Sequence, residues 1–133
     1  MEQTVASLIS SPVRTVRADD TIDAVSDELR QSGLSFVPVV ASPGEALLGI
    51  ISAQDILQFK SARRDPGTVR AWEICSYKPV EVDVNATLGE VARLMVERQE
   101  HHVIVMNKDA VAGVVSSLDF VNAFIKQQPE RSA

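Results

Sequence analysis

Residues Gly49–Asp55 read Gly-Ile-Ile-Ser-Ala-Gln-Asp, and residues Gly113–Asp119 read Gly-Val-Val-Ser-Ser-Leu-Asp. Both stretches have the same form: glycine, two aliphatic residues, serine, two variable residues and aspartate. Aliphatic β-branched residues are typical of a strand, and serine is a preferred residue at the start of a helix. The sequence therefore predicts a strand that passes directly into a helix at two places in the chain.

The similarity extends outward from these stretches over nearly the whole chain, which identifies an internal repeat. Pro12-Val13 match Pro79-Val80 at an offset of 67 residues, and the two motifs match at an offset of 64. At an offset of 66 the matching pairs are Thr21 with Thr87, Val25 with Val91, Val37 with Val103, and Val39 with Val105. We expect one residue to be lost around residues 18–20 and two in the turn at residues 41–45.

The repeat sets the predicted domain organisation. Residues 1–62 form the first repeat, residues 63–69 a polar linker, residues 70–127 the second repeat, and residues 128–133 a polar tail. A unit of about 60 residues buries only about 60% of the surface of its unfolded chain and is marginally stable alone. We therefore expect the two repeats to pack together as one module.

Each repeat is predicted to have the order β-α-β-β-α, an α/β (α+β) fold with pseudo-two-fold symmetry. Ile22, Val25 and Leu29 recur with helical spacing, as do Leu88, Val91 and Met95. Phe36–Val40 and Val103–Met106 are apolar runs without polar alternation, which is typical of strands buried on both faces.

Particular residues mark the predicted ends of these helices. Thr87 and Glu90 have the spacing of a capping box, in which a hydroxyl and a carboxylate satisfy free backbone donors. Gly33 is expected to end the first helix, because glycine tolerates the left-handed conformation there.

Composition excludes several classes of protein. The chain has 133 residues, with 13 Lys+Arg and 18 Asp+Glu and a net charge of −5, which argues against binding along a phosphate backbone. No apolar stretch approaches the roughly 20 residues of a membrane span, and the N-terminus has no secretion signal. The single cysteine, Cys75, cannot form an intrachain disulfide. A reducing cytoplasm is therefore the expected location.

Catalytic signatures are absent from the sequence. The chain has no phosphate-binding loop, nucleotide fingerprint, nucleophile elbow or His-Glu-x-x-His motif. Two adjacent histidines and one cysteine do not supply the ligands of a zinc site. We therefore expect a protein that is not an enzyme and that requires no cofactor.

The two Gly-to-Asp motifs, together with Val37-Pro38-Val39-Val40 and Asp19-Asp20-Thr21-Ile22, resemble the cystathionine β-synthase (CBS) domain. Two copies in tandem are similar to the pair called a Bateman module, and the resemblance covers about residues 5–125. It implies that an adenine nucleotide or adenosyl ligand binds in clefts between the repeats as a regulatory ligand. AMP, ADP, ATP, S-adenosylmethionine and NAD are the candidates.

The resemblance also implies roles for particular residues. Asp55 and Asp119 would hold ribose hydroxyls, and Ser52 and Ser116 would lie near ribose or phosphate. The base would be enclosed, largely through backbone groups, by residues of the leading segments and the second strands. These are Val13, Thr15, Val37, Pro38 and Val39 in the first repeat, and Val80, Val82, Val103, Ile104 and Val105 in the second.

Structural interpretations of the same residues remain open. Ser52 with Asp55, and Ser116 with Asp119, also have capping-box spacing, which would explain both pairs without a ligand. The position of His101 resembles that of a histidine that contacts ligand phosphate in regulatory subunits of AMP-activated protein kinase, and this resemblance implies that the second site is the better phosphate holder. The alternative is that His101 and His102 are polar residues at a strand start.

Two functions from different classes follow. The first is a regulatory module whose adenosyl ligand alters contact with an unidentified effector protein in trans, since no effector domain is present in these 133 residues. The alternative is a ligand-free scaffold for dimerisation, with vestigial clefts. The resemblance also implies a homodimer. The last helix of each repeat supports this expectation, because it is rich in apolar residues: Ile56, Leu57 and Phe59 in the first, and Phe120, Val121 and Phe124 in the second.

Overall fold

The computed structural model describes residues 3–9, 13–41, 46–76 and 79–127. The predicted polar tail, Pro12 and most of the turn at residues 41–45 lie outside this part of the chain. The described residues form two compact units. We call Val13–Pro79 with Lys108–Val111 the N-unit, and Met1–Pro12 with Val80–Asn107 and Ala112–Ala133 the C-unit.

The N-unit contains a three-stranded sheet in the order β1-β2-β3 and three helices. Strand β1 is parallel to β2, and β2 is antiparallel to β3. The elements are β1 (Val16–Arg17), α1 (Ile22–Ser32), β2 (Phe36–Val40), β3 (Leu47–Ser52), α2 (Ala53–Ser61) and α3 (Ala71–Ile74).

The C-unit contains the equivalent sheet in the order β4-β5-β6, with β4 parallel to β5. The elements are a 3₁₀ helix (Val5–Leu8), β4 (Glu81–Asp83), α4 (Leu88–Arg98), β5 (His102–Asn107), β6 (Ala110–Ser116) and α5 (Ser117–Gln127), and only the first two residues of β6 are grouped with the N-unit. The predicted β-α-β-β-α order is confirmed in both repeats. Among the described residues, no helix has the length and apolarity that crossing a bilayer requires.

Helix ends follow the sequence signals. The Thr21 hydroxyl accepts a hydrogen bond from the Ala24 amide at 3.2 Å, and the Thr87 hydroxyl accepts one from the Glu90 amide at 3.2 Å. Gly33 ends α1 with φ of 70°, in the left-handed region, as predicted. At the end of α4, Gln99 takes the same conformation with φ of 54°.

The central strand of each sheet is the most buried element. All five residues of β2 are buried, and so are Val103–Val105 in β5. Val37 and Val39 pack in the N-unit core with Val25 of α1 and Phe59 of α2. This agrees with the prediction from their unbroken apolar runs, because a strand covered on both faces has no polar side to alternate with.

The segment Gln3–Ile9 packs on the second repeat rather than the first. The Val5 amide donates to the carbonyl of Ala86 at 2.7 Å, the Leu88 amide donates to the carbonyl of Gln3 at 3.0 Å, and the Val5 side chain is fully buried in the C-unit core. Val5, which belongs to the first repeat, is therefore part of a core whose strands come from the second repeat.

The segment Val69–Ser76, which leads into the second repeat, packs reciprocally in the N-unit. Ser76 and Ile50 exchange backbone hydrogen bonds of 2.8 and 3.0 Å, and Ala71 and Cys75 are buried in the N-unit core. A β-carbon at Gly49 would collide with the carbonyl oxygen of Ser76. The motif glycine of the first repeat is therefore required by this segment, a use that the sequence did not reveal.

The strand registers correct one detail of the repeat alignment. Val16 pairs with Val39, and Val82 pairs with Val105, so an offset of 66 already holds at β1. The prediction that a residue is lost around residues 18–20 is wrong. The structural equivalent of Thr15 is Glu81, not Val82, and a slip of one residue places a strand side chain on the opposite face: Thr15 is exposed, whereas Val82 is buried.

Replacement of Val5 tests the packing of the N-terminal segment. We expect Val5→Ala to lower the free energy of unfolding by about 2 kcal/mol, because it removes two buried methyl groups and leaves a cavity. Val96→Ala on α4 is the matched control, since Val96 is 77% exposed. Urea unfolding followed by circular dichroism measures both, and equal stability of the two variants would contradict the packing.

Candidate functional site

The serine and aspartate of each motif form a reciprocal cap at the start of a helix. At α2, the Ser52 amide donates to Oδ2 of Asp55 at 2.8 Å, and the Asp55 amide donates to the Ser52 hydroxyl at 3.1 Å. At α5, the Ser116 amide donates to Oδ2 of Asp119 at 2.7 Å, and the Asp119 amide donates to the Ser116 hydroxyl at 3.3 Å. Both pairs therefore have the capping role that their spacing predicted.

The cap involves one oxygen of each aspartate. The bonds within it end on Oδ2, including a further bond of 3.1 Å from the Ser116 hydroxyl to Asp119. Both carboxylates are partly buried, and Oδ1 lies outside these bonds. The capping geometry therefore leaves one carboxylate oxygen for a second hydrogen-bonding role.

Each cap is fixed next to the start of the central strand. The Ala53 amide donates to the carbonyl of Ser35 at 2.8 Å, and Ser52 is paired in register with Phe36. In the C-unit, the Ser117 amide donates to the carbonyl of His101 at the same distance, 2.8 Å. The strand-to-helix junction is thus held at the same end of the sheet in both units.

We call the candidate residues of the N-unit the N-site: Thr15, Val37, Pro38, Val39, Ser52 and Asp55. Pro38 belongs to β2, and Thr15 immediately precedes β1, which is hydrogen-bonded to β2. The side chains of Val37 and Val39 are fully buried in the core. Their side chains are therefore used by the core, and their contact with a ligand stays a prediction.

The equivalent residues of the C-unit are called the C-site. Ile104 and Val105 pair with Glu81 and Val82 of β4, and the cap of Ser116 and Asp119 follows β6. The side chains of Val82, Val103, Ile104 and Val105 are buried. The N-site and C-site thus share one arrangement: a leading segment, a central strand and a capped helix.

The two histidines have different environments. His101, the candidate phosphate contact, is exposed, and its carbonyl is used by the Ser117 amide. His102 is partly buried as the first residue of β5, the position that the buried Phe36 occupies in β2. The alignment of His102 with a buried phenylalanine was the available signal that its side chain belongs nearer the core.

Electrostatics at the C-site centre on His102. Burial is the main cause that lowers the pKa of His102 below its ordinary value of 6.5, and the adjacent His101 acts in the same direction. Glu100 and Asp119 oppose this shift through their negative charges. His102 therefore interacts electrostatically with the capping aspartate of α5, which the sequence analysis did not foresee. The N-site has Phe36 in place of this imidazole.

A comparison with known protein families decides what this repeated arrangement is. The CBS domain model matches residues 5–62 and 71–126. The chain belongs to the CBS domain family. The two matches agree with the tandem repeat found from the sequence, and the two sheets with their capped helices are its structural counterpart.

Relatives of this CBS domain protein cover most of its length. Hypoxic response protein 1 of Mycobacterium tuberculosis is 26% identical over 117 residues, which are 87% of this chain and 81% of the relative. CBS domain-containing protein YhcV of Bacillus subtilis is 23% identical over 129 residues, which are 97% of this chain and 89% of the relative.

Solved structures of CBS domain pairs have the same fold. The pair of protein MJ0100, in complex with 5′-methylthioadenosine and S-adenosyl-L-methionine, superposes with a TM-score of 0.83 at 22% identity, over 96% of this chain and 100% of that one. The CBS domain protein PAE2072 of Pyrobaculum aerophilum, complexed with AMP, gives 0.79 at 23% identity, over 88% and 89%.

Hypoxic Response Protein I, whose crystal structure has two coordinated zinc ions, also shares the fold. Its TM-score is 0.78 at 23% identity, over 96% of this chain and 100% of that one. Within residues 3–9, 13–41, 46–76 and 79–127 of the present chain, no three His, Cys, Asp or Glu side chains are grouped to hold a metal ion.

The lowered pKa of His102 predicts a pH-dependent stability. Between its folded and unfolded pKa values the unfolded chain binds more protons, so the free energy of unfolding rises with pH through this window. Stability should therefore fall as the pH is lowered below about 6.5. We expect His102→Phe, which introduces the residue of the first repeat, to reduce this dependence.

Urea unfolding at pH 5.5 and 7.5 measures the effect. His101→Asn is the matched control, because His101 is exposed. The interpretation fails if the wild type and His102→Phe lose the same stability between the two pH values.

Proposed function

We propose that this CBS domain protein is a non-catalytic regulatory module that binds an adenine nucleotide or adenosyl ligand and signals to a partner protein in trans. The observation that carries the proposal is the capped helix start that occurs in both units. It combines a partly buried carboxylate, a serine hydroxyl and the N-terminus of a helix at the end of a buried strand.

The chemistry of this arrangement suits an adenosyl ligand. A carboxylate oxygen that is not used by the cap accepts hydrogen bonds from ribose hydroxyls, as expected for Asp55 and Asp119. The helix N-terminus attracts a negatively charged group. Fold relatives solved with AMP, or with 5′-methylthioadenosine and S-adenosyl-L-methionine, support this class of ligand. They do not distinguish between its members.

Calorimetry with AMP, S-adenosylmethionine and 5′-methylthioadenosine tests the proposal. We expect Asp55→Asn or Asp119→Asn to weaken binding roughly tenfold or more, because a hydrogen bond to a charged group contributes about 1.5–3 kcal/mol. Asparagine has nearly the same size and retains part of the cap, so the change acts mainly on the ligand.

Glu90→Gln is the matched control. Glu90 accepts a hydrogen bond from the Thr87 hydroxyl at 3.1 Å at the start of α4, so this variant weakens a helix cap outside both candidate sites. Absence of heat from the wild type with all three ligands at millimolar concentration would refute the proposal. Normal binding by both aspartate variants would leave Ser52, Asp55, Ser116 and Asp119 with a capping role only.

We also propose a homodimer, in which α5 provides the contact surface. No residue of α5 is buried, and its exposed apolar side chains are Leu118, Val121, Phe124 and Ile125. Leu118, Val121 and Ile125 have the spacing of one helical face, while Phe120 packs against the C-unit core. Exposed apolar stripes of this kind mark interaction surfaces.

The structure corrects the surface that the sequence suggested for the dimer. Ile56 and Phe59 of α2 are buried in the N-unit core, so they are not available to a second copy. Leu57 is exposed on α2. The apolar residues of the first repeat are thus largely used inside the N-unit, whereas Val121 and Phe124 of α5 are exposed.

A charge on α5 should abolish the dimer. We expect the wild type to sediment as a dimer and Phe124→Glu to sediment as the 14.4 kDa monomer, because burying a carboxylate in an apolar contact is costly. Val96→Glu on α4 is the control, at an isolated exposed valine. A wild type that remains monomeric at high concentration would exclude the dimer.

A further inference from the structure

His102 lies across the sheet from the serine that caps α5. In the N-unit, Phe36 of β2 is paired with Ser52 of β3. The C-unit sheet has the same strand order, and its strand-to-helix junction is held by an equivalent backbone bond of 2.8 Å to the residue before the central strand. His102, which is equivalent to Phe36, therefore stands opposite Ser116.

His102 and Ser116 also share one face of the sheet. Side chains alternate along a strand, and the adjacent residues Val103 and Val115 both point into the C-unit core. His102 and Ser116 therefore point to the other face, where residues directly opposite each other are neighbours. The imidazole is thus next to the cap, and its electrostatic interaction with Asp119 agrees with this placement.

The charged groups around His102 come from two places. His101 and Glu100 precede it in the turn before β5, and Asp119 belongs to α5. Strand β6 contains no titratable side chain, and the acidic residues of β4 pair with β5 further along, from Ile104 onward. Helix α4 and the N-terminal segment contribute to the core on the opposite face of the sheet.

The balance of these effects disfavours a positive charge on the imidazole. Burial is the main cause that lowers the pKa of His102, and the adjacent His101 adds to it. The carboxylates of Glu100 and Asp119 act in the opposite direction but do not outweigh burial. A further negative charge beside the imidazole would favour its protonated form. A phosphate monoester, with a charge of about −1.5 to −2 at pH 7, supplies such a charge.

The start of α5 has a backbone donor for a phosphate beside His102. The cap uses the amides of Ser116 and Asp119, and the Ser117 amide is bonded to the residue before β5. These bonds do not involve the Leu118 amide, in the first turn of a helix of 11 residues. The hydroxyls and the 5′-phosphate of a nucleotide belong to one sugar, so a ribose on Asp119 brings its phosphate near this turn.

We infer that His102 selects phosphate-bearing ligands at the C-site, because its imidazole takes up a proton from solvent when the phosphate binds and then pairs with it as a cation. This inference rests on the proposed function. Phe36 occupies the equivalent position of the N-site and carries no charge, so the proton uptake belongs to the C-site alone. 5′-Methylthioadenosine has the base and the ribose but no phosphate, so its binding takes up no proton there.

Proton linkage gives the direction of the effect. A bound phosphate raises the pKa of His102 above its value in the free protein, so the complex binds more protons between the two values. Affinity for AMP at the C-site therefore rises as the pH falls through this window. A rise of about one pH unit changes affinity by at most tenfold. We expect AMP to bind the C-site about fivefold more tightly at pH 5.5 than at pH 7.5.

NMR titration of the imidazole protons of the full chain provides the direct test. The chain has two histidines, so the spectrum of His101→Gln assigns the signals. The pKa of His102 should rise by about one pH unit when AMP is added, and it should not change with 5′-methylthioadenosine. Amides of residues 116–120 report binding to the C-site separately from amides of residues 52–56 at the N-site.

Two variants test the role of the imidazole. His102→Gln and His102→Phe stay neutral at every pH, so the ratio of AMP affinity to 5′-methylthioadenosine affinity at the C-site should fall about fivefold at pH 5.5. The phosphate of AMP itself titrates near pH 6, a contribution common to the wild type and the variants. His101→Gln is the comparison variant, and its affinity for AMP should keep a pH dependence in the wild-type direction.

The outcomes separate this inference from the proposed function. An unchanged pKa of His102 in the presence of AMP, a wild-type pH dependence in both His102 variants, or loss of that dependence in His101→Gln would each overturn the inference while leaving adenosyl binding intact. Absence of any amide shift in either site with AMP, S-adenosylmethionine and 5′-methylthioadenosine would overturn the proposed function and this inference with it.

Discussion

The structure depends on one constraint: the core of each unit is completed by a segment from the other repeat. The hydrogen bond from the Val5 amide to the carbonyl of Ala86 is part of one such contact. A repeat of about 60 residues buries a smaller fraction of its surface than a larger domain does and is marginally stable alone. In the C-unit the missing part is supplied by Gln3–Ile9, and in the N-unit it is supplied by Val69–Ser76. Each core therefore contains residues from both repeats, so each repeat contributes to the stability of the other core.

This constraint also explains the glycine at the start of each motif, a residue that would equally suit close approach by a ligand. Glycine inside a strand allows close approach by another group. At Gly49 that group is the backbone of Ser76, and at Gly113 it is the side chain of Ile9. The glycines serve packing inside each unit, whereas the serine and aspartate that follow them form the cap. One short motif thus combines assembly of the core with the proposed binding function.

The cap and the proposed ligand contact are compatible because a carboxylate has two oxygens. Oδ2 of Asp55 and of Asp119 receives the hydrogen bonds of the cap, which orients the side chain before any ligand arrives. Such preorganisation lowers the conformational cost of binding. The two sites are nevertheless unequal: the N-site has Pro38 and Phe36 where the C-site has Ile104 and His102. Both sites therefore share one framework. The residues that differ between them change the backbone donor, at Pro38, and the charge, at His102.

The sequence by itself determined the two repeats, their β-α-β-β-α order, the buried central strands and the helix caps. These features depend on periodicity and on spacings of three or four residues, which are local. It did not determine the exchange of leading segments, the register that makes Glu81 the equivalent of Thr15, or the burial of Ile56 and Phe59. Nor did it reveal the electrostatic interaction of His102 with Asp119. Those features were decided by tertiary structure, because they depend on which distant segment covers a given strand and on which face of that strand is covered.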